Sequence, residues 1–208
     1  MDDRQLRDEV ITLFLAGHET TANALSWAFY LLATHPEAEE KLREELGEVL
    51  GTDDGIRTPT LTDLPRLTYT KMVVDETLRL YPPAWITNRQ AAAEDEILGH
   101  PIPAGAFVML SPYVLHRHPD YWERPDAFDP ERFDPGRGNG RPRFAYFPFG
   151  GGPRQCIGQG MALVEAKLVL ATVLGRCRLR PASDRPVEAE ALATLRPRGG
   201  LPMTVEPA

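Results

Sequence analysis

Residues 149–158 read Phe-Gly-Gly-Gly-Pro-Arg-Gln-Cys-Ile-Gly, and no other stretch constrains the chain as much. Glycine lacks a Cβ, so a backbone rich in it can run flat against a bulky partner. Cys156 ends the glycine-rich part, and an apolar helix of residues 161–174 follows at once. A thiol at a helix N-terminus is favoured as thiolate, because free N–H groups and the helix dipole stabilise negative charge. A flat partner joined to a thiolate points to a macrocycle whose metal takes sulfur as its axial ligand, which is haem-thiolate chemistry. Two plainer readings compete. One is a buried structural cysteine. The other is a phosphate loop, which fails for want of Gly-Lys-Ser/Thr and of a clear preceding strand.

The chain has 208 residues, enough for one domain with a sizeable core. It is 42% apolar and 25% charged, the balance of a soluble globular protein. A net charge of −7 argues against nucleic acid as a partner. No apolar run is long enough to span a membrane, and residues 10–16 are too short and too closely flanked by acids for a signal peptide. A cytoplasmic location is therefore expected. Cys156 and Cys177 are not expected to pair, since nothing indicates an oxidising compartment; Cys177 reads as a small half-buried residue.

Apolar and small residues at three- and four-residue spacing (Leu6, Val10, Leu13, Gly17, Thr20, Ala24, Trp27) predict one long helix over Asp3–Thr34, ended by His35-Pro36. Pro36 opens a second helix, rich in Glu and Lys, that runs to about Gly51. Residues 52–59 read as a loop and Thr62-Asp63 as a short turn. A third helix over Thr68–Leu80 stops at Tyr81-Pro82-Pro83. Short strands broken by Gly99, Pro101, Pro103 and Gly105 fill residues 85–110, and one or two helical turns follow over 111–115. Residues 119–148 are dense in proline, glycine and aromatics, an irregular length that is unusual unless it is functional. His116-x-His118 beside Pro119 reads as a surface loop. The helix behind Cys156 runs to about Leu174, and short strands complete the chain.

Three further clusters carry chemistry. Glu76 and Arg79 stand at i and i+3 on one helix, so they can touch, and their neighbours Met72, Val73, Leu78 and Leu80 are apolar. Thr20 can donate to the carbonyl of Ala16 and open its helix locally, while Gly17 leaves room on that face. Glu19 beside Thr20 makes an acid–hydroxyl pair able to relay protons.

Taken in order, Ala16-Gly17-His18-Glu19-Thr20-Thr21, Glu76-Thr77-Leu78-Arg79, Pro130-Glu131-Arg132-Phe133 and the Phe149–Gly158 loop resemble the four signature motifs of the cytochrome P-450 family. The loop matches Phe-x-x-Gly-x-Arg-x-Cys-x-Gly at every fixed position. The resemblance covers essentially the whole chain. It implies a mainly α fold with small β-sheets and haem b (iron protoporphyrin IX) as cofactor. Cys156 would be the axial ligand, within a cradle that includes Phe149, Gly150 and Gly158. Arg154 and, on weaker spacing, Arg89 would pair with the propionates, as the guanidinium fork suits carboxylate. Glu76, Arg79 and Arg132 would form one buried architectural set. Thr20 and Glu19 would handle protons, and Ala84, Trp85, Ile86, Ala193 and Thr194 would border the substrate. The partners implied are a small organic substrate, dioxygen and an electron-donor protein, either a ferredoxin or a flavoprotein reductase. The activity implied is monooxygenation.

In that family the Ala-Gly-x-Glu-Thr-Thr motif lies near mid-chain, whereas here it begins at Ala16. The chain thus resembles the C-terminal half of a single haem-thiolate domain, residues 1–208 of which would need an N-terminal half carrying much of the substrate pocket and any anchor. Phe14, Leu15, Leu25, Phe29 and Leu32 widen the apolar surface of the first helix, and part of it is expected to face that half. Alone, these residues are expected to fold poorly and hold haem weakly. Three readings remain beside the monooxygenase: a non-catalytic fragment, a peroxide-driven haem-thiolate oxidase, and a non-haem structural protein, which a haem spectrum would separate.

Overall fold

The computed structural model describes residues 1–137 and 140–208. It begins with a single long helix, α1 (Asp3–Thr34), whose N-cap Asp2 accepts the amide of Gln5 at 2.7 Å. His35 ends α1, and Pro36 starts α2 (Pro36–Leu50), where a missing N–H costs nothing. Ala38, Leu42, Leu46 and Leu50 recur every fourth residue on α2 and are all buried, so one stripe of an otherwise charged helix faces inward. The expected loop after α2 contains a small hairpin instead, β1 (Gly51–Thr52) with β2 (Gly55–Ile56). Gly55 turns it at φ +118°, a conformation open to glycine.

Next comes α3 (Thr68–Leu80), buried from Val73 to its end. Its cap residue, Leu67, makes no side-chain cap bond. Glu45 of α2 does that work from outside: Oε1 accepts from Tyr69 N at 2.5 Å and Oε2 from Thr70 N at 2.9 Å. Four strands follow, β3 (Thr87–Gln90), β4 (Asp95–Ile97), β5 (His100–Ile102) and β6 (Phe107–Leu110). They pair antiparallel as β3 with β6 and β4 with β5. A short helix, α4 (Pro112–Leu115), leads into the irregular segment, which contains single 3-10 turns at Pro130–Phe133, Pro135–Arg137 and Arg143–Ala145.

A last 3-10 turn, Gly152–Arg154, precedes α5 (Gln159–Leu174). Four strands close the chain: β7 (Cys177–Pro181), β8 (Ala189–Ala191), β9 (Leu195–Pro197) and β10 (Met203–Pro207). They pair antiparallel as β7 with β10 and β8 with β9. Helices therefore carry the core, with small antiparallel sheets around it. Ala28 and Leu32 of α1, the α2 stripe, Val73, Val74 and Leu78 of α3, and Ala166, Leu170, Ala171 and Leu174 of α5 form one cluster. Each fully buried leucine contributes roughly 1.5–3 kcal/mol.

The two ends of α1 differ. Beyond Thr20 its residues enter the core, and Trp27 stacks on Tyr81 at 3.9 Å while donating from Nε1 to Leu195 O at 3.2 Å. Before Thr20 every residue is exposed, including Phe14 at 65% and Leu15 at 62%. Of the five residues that widen the apolar surface of α1, Leu32 is buried in the core, because α2 and α3 cover that end of the helix, Leu25 and Phe29 pack against the same cluster, and Phe14 and Leu15 are exposed. No helix of the described residues is long and apolar enough to cross a membrane.

Candidate functional site: a cysteine loop tied to a buried ionic node

The node is built on α3. Glu76 and Arg79 are both fully buried and face one another one turn apart. Arg79 Nε donates to Glu76 Oε2 at 2.7 Å and Nη2 to Oε1 at 2.8 Å, a bidentate pair. The remaining Arg79 protons go to backbone: Nη1 donates to His116 O at 2.8 Å and Pro125 O at 2.6 Å, and Nη2 to Ala127 O at 3.0 Å. All the N–H groups of the fork are thus used, which is what a buried guanidinium requires. Arg132, on the Pro130–Phe133 turn, donates from Nε to Glu76 Oε1 at 3.3 Å, from Nη2 to Arg124 O at 2.8 Å and from Nη1 to Glu123 O. Asp129 N adds a fourth donor to Glu76, at 2.9 Å. Burial pushes the Glu76 carboxyl above its ordinary value, and Arg79, the Asp129 amide and Arg132 pull it back. The structure therefore brings Glu76, Arg79 and Arg132 together, and through them it pins the irregular segment to α3.

The cysteine loop hangs from that segment. Tyr146 OH donates to Asp75 O at 3.0 Å, anchoring the loop entry to α3. Gly150 N donates to Phe147 O at 2.9 Å, and Cys156 N to Phe149 O at 2.9 Å, so the loop closes on itself. Gly150 and Gly152 have φ of +72° and +69°, where any other residue would be strained. A Cβ at Gly151 would stand 2.7 Å from the Phe144 ring, and one at Gly158 would stand 3.8 Å from Cys156 Sγ. The glycines thus keep bare backbone around an exposed thiol. Cys156 lies two residues before Gly158, the cap of α5.

These features fit a flat group that brings a metal with it. Cys156 Sγ would be the side chain that holds that metal, and among the described residues no group of three or more His, Cys, Asp or Glu side chains could hold a bare ion. Arg154, on its 3-10 turn, and Arg89, on β3, are exposed. Neither has a carboxylate partner among the described residues; Arg89 donates only to Thr87 Oγ1 and Asn88 O.

The second centre lies on α1. Thr20 Oγ1 donates to Ala16 O at 2.6 Å, and a Cβ on Gly17 would meet nothing within 4 Å. Glu19 Oε1 accepts from Thr194 Oγ1 at 2.7 Å, and Thr194 Oγ1 in turn accepts from Asn23 Nδ2 at 3.0 Å. Asn23 is absent from the residues singled out by sequence, although its place one turn beyond Glu19 on the same face was available as a signal. The Thr194 segment is stitched to the segment after α3: Leu195 N donates to Pro83 O at 3.0 Å and Trp85 Nε1 to Leu192 O at 2.8 Å. Ala84, Trp85 and Ile86 thus lie across from Ala193 and Thr194, with both Ala84 and Ala193 exposed.

One sequence reading is overturned. His116 is not on a surface loop: it is fully buried, and its Nε2 accepts from Phe147 N at 2.9 Å. The residues that bury it, Trp122 at 6.4 Å, Tyr146 at 5.1 Å and Phe147 at 5.4 Å between ring centroids, arrive from farther along the chain.

Comparison with known proteins agrees with this geometry. The family model for cytochrome P-450 matches residues 1–202. Cyclooctatin synthase of Streptomyces melanosporofaciens is 45% identical over 207 residues, which is 100% of this chain and 42% of that protein. Cyclooctat-9-en-7-ol 5-monooxygenase of the same organism is 44% identical over 207 residues, 100% of this chain and 44% of the relative. Pentalenene oxygenase of Streptomyces avermitilis is 41% identical over 195 residues, 94% of this chain and 42% of the relative. The chain therefore spans less than half the length of these relatives. With a family model matched from the first residue nearly to the last, and with the cysteine loop, the ionic node and the α1 threonine in one structure, the chain belongs to the cytochrome P-450 family.

Proposed function

We propose that this chain is the C-terminal part, residues 1–208, of a single haem-thiolate monooxygenase domain in the cytoplasm. The observation that carries the reading is the cysteine loop, with its bare backbone around an exposed Cys156 Sγ. The group it suits is haem b. Cys156 would ligate its iron, Phe149, Gly150 and Gly158 would line it, and Arg154 and Arg89, which have no carboxylate partner among the described residues, would meet its propionates. When bound, thiolate-ligated haem supplies the activation of dioxygen and the transfer of one oxygen atom to substrate, the other leaving as water.

The chain's own residues manage protons and position. Thr20 donates its hydroxyl to Ala16 O within an uninterrupted α1, on the face where a Cβ at Gly17 would meet nothing within 4 Å. Glu19 holds or passes a proton toward that hydroxyl, and Thr194 and Asn23 orient it. The acid–hydroxyl pair favours dioxygen over a peroxide-driven reaction, which needs less proton delivery. Two relatives are named for acting on cyclooctat-9-en-7-ol and as an oxygenase of pentalenene, and a small organic substrate is proposed here too. It would be bordered by Ala84, Trp85, Ile86, Ala193 and Thr194. Electrons would come from a ferredoxin or a flavoprotein reductase.

Cys156→His in the complete, haem-loaded protein tests the reading. The variant should lose the red-shifted reduced carbon monoxide band typical of thiolate ligation. Survival of that band would mean that Cys156 is not the ligand.

A further inference from the structure

His116 touches both the node and the loop, by two different parts of one residue. Its carbonyl accepts from Arg79 Nη1 at 2.8 Å. Its ring Nε2 accepts from Phe147 N at 2.9 Å. Phe147 O then accepts from Gly150 N, and Phe149 O from Cys156 N, each at 2.9 Å. A continuous path of hydrogen bonds and backbone thus runs from Glu76 through Arg79 and His116 to the cysteine loop.

An imidazole nitrogen that accepts leaves the ring proton on the other nitrogen. Among the described residues His116 Nδ1 has no hydrogen-bond partner. The groups facing the ring are Trp122, Tyr146, Phe147 and the guanidiniums of Arg79 and Arg117.

We propose that His116 is the positioning residue of the cysteine loop: its ring, protonated on Nδ1, accepts the Phe147 amide and fixes Cys156 relative to the Glu76–Arg79–Arg132 node. Burial, helped by the charges of Arg79 and Arg117, pushes the imidazole down to about 3, so Nε2 remains an acceptor at neutral pH. Tyr146 supplies a second tether through Asp75 O, so losing the histidine bond loosens the loop without detaching it. A loop displaced by even about 1 Å fails to present a ligand at the required geometry. The inference rests on the reading of Cys156 as axial ligand, and its test separates the two.

Nitrogen-15 spectra of the haem-loaded protein in its diamagnetic reduced carbon monoxide form should show His116 as the Nδ1–H tautomer, with no titration down to a pH of about 5. The Phe147 amide should exchange slowly. His116→Gln keeps an acceptor at the Nε2 position and should keep both the red-shifted band and Phe147 protection. His116→Phe keeps a ring but removes the acceptor. It should lose about half or more of that band to the blue-shifted form, and speed Phe147 exchange about tenfold or more. The proposal is overturned by an Nε2–H tautomer in the parent, by a Phe variant that matches the parent, or by a Gln variant as damaged as the Phe one. Should the Phe variant fail to accumulate, the parent's tautomer and Phe147 exchange decide. If the parent itself lacks the red-shifted band, the reading of Cys156 falls, while the tautomer and exchange still judge His116.

Discussion

Replacing Glu76 by Gln changes no volume and leaves one acceptor oxygen. Placed at the Oε1 position, that oxygen keeps Arg79 Nη2, Asp129 N and Arg132 Nε as donors. The new amide NH2 then faces Arg79 Nε at the 2.7 Å now spanned by a hydrogen bond, donor against donor. The loss of one charge-assisted bond costs about 1.5–3 kcal/mol. Arg79 also stays charged at 0% exposure with no carboxylate opposite, which raises the total to about 3–5 kcal/mol, as when one partner of a buried pair is removed. A typical domain has only about 5–15 kcal/mol to lose. In urea, with a slope of about 2–3 kcal/mol per molar, the midpoint of the haem-loaded protein should fall by about 1–2 M, followed by tryptophan fluorescence. Arg132→Leu should act in the same way, and the double variant should be no worse than the singles, because both members belong to one network. A midpoint shift below about 0.3 M, with additive effects, would refute the reasoning and reduce the node to the worth of a surface pair.

Three other outcomes are expected. Thr20→Ala should leave haem and substrate binding intact but divert reducing equivalents to hydrogen peroxide; unchanged coupling of electron use to product would remove Thr20 from proton handling. The depressed pKa of His116 makes the unfolded chain bind a proton below about 6.5 that the folded chain refuses until about 3. Its contribution is therefore full above 6.5 and declines as pH falls, by about 1.4 kcal/mol per unit. The parent should thus lose about 2–3 kcal/mol more than His116→Gln between pH 6.5 and 4.5, and parallel pH profiles would count against a neutral buried ring. Glu45→Ala removes the external cap of α3 and should cost about 1–2 kcal/mol in thermal or urea unfolding; a change within error would show that water caps α3 equally well.

The elements that were legible in the sequence are those whose limits are local. Pro36 and the Pro82-Pro83 pair stop α1 and α3 by chemistry that acts within a residue or two. The partners of Glu76 were partly legible, since Arg79 sits one turn away; Arg132 came from the family pattern rather than from periodicity. What stayed hidden was set by contacts distant in sequence. His116 lies among polar and proline-rich neighbours, and only the arrival of residues 122 and 146–147 makes it interior. Glu39 and Glu45 sit on a helix that reads as a solvated charged surface. Yet Glu39 is 1% exposed and is held by Arg180 at 2.7 Å from β7, and Glu45 caps a different helix. The Thr194–Glu19 bond joins residues 175 apart, a pairing that no spacing rule anticipates.

The described strands form five separate two-stranded ladders rather than one continuous sheet. A two-stranded ladder is marginal by itself and takes its support from whatever it packs on. Here that support is the helical core, so each ladder depends on the core but not on its fellows. The β8–β9 turn is hydrogen-bonded to the segment before β3, through Leu195 N to Pro83 O and Trp85 Nε1 to Leu192 O, but among the described residues it shares no ladder with β3 or β6, so a substitution there does not act on their register through strand pairing. Nor does it reach the ionic node, whose partners all lie on α3 and residues 116–132. Under the function proposed here, such an arrangement would let the segment proposed to border the substrate vary under mutation while the cysteine loop and its anchorage stay unchanged.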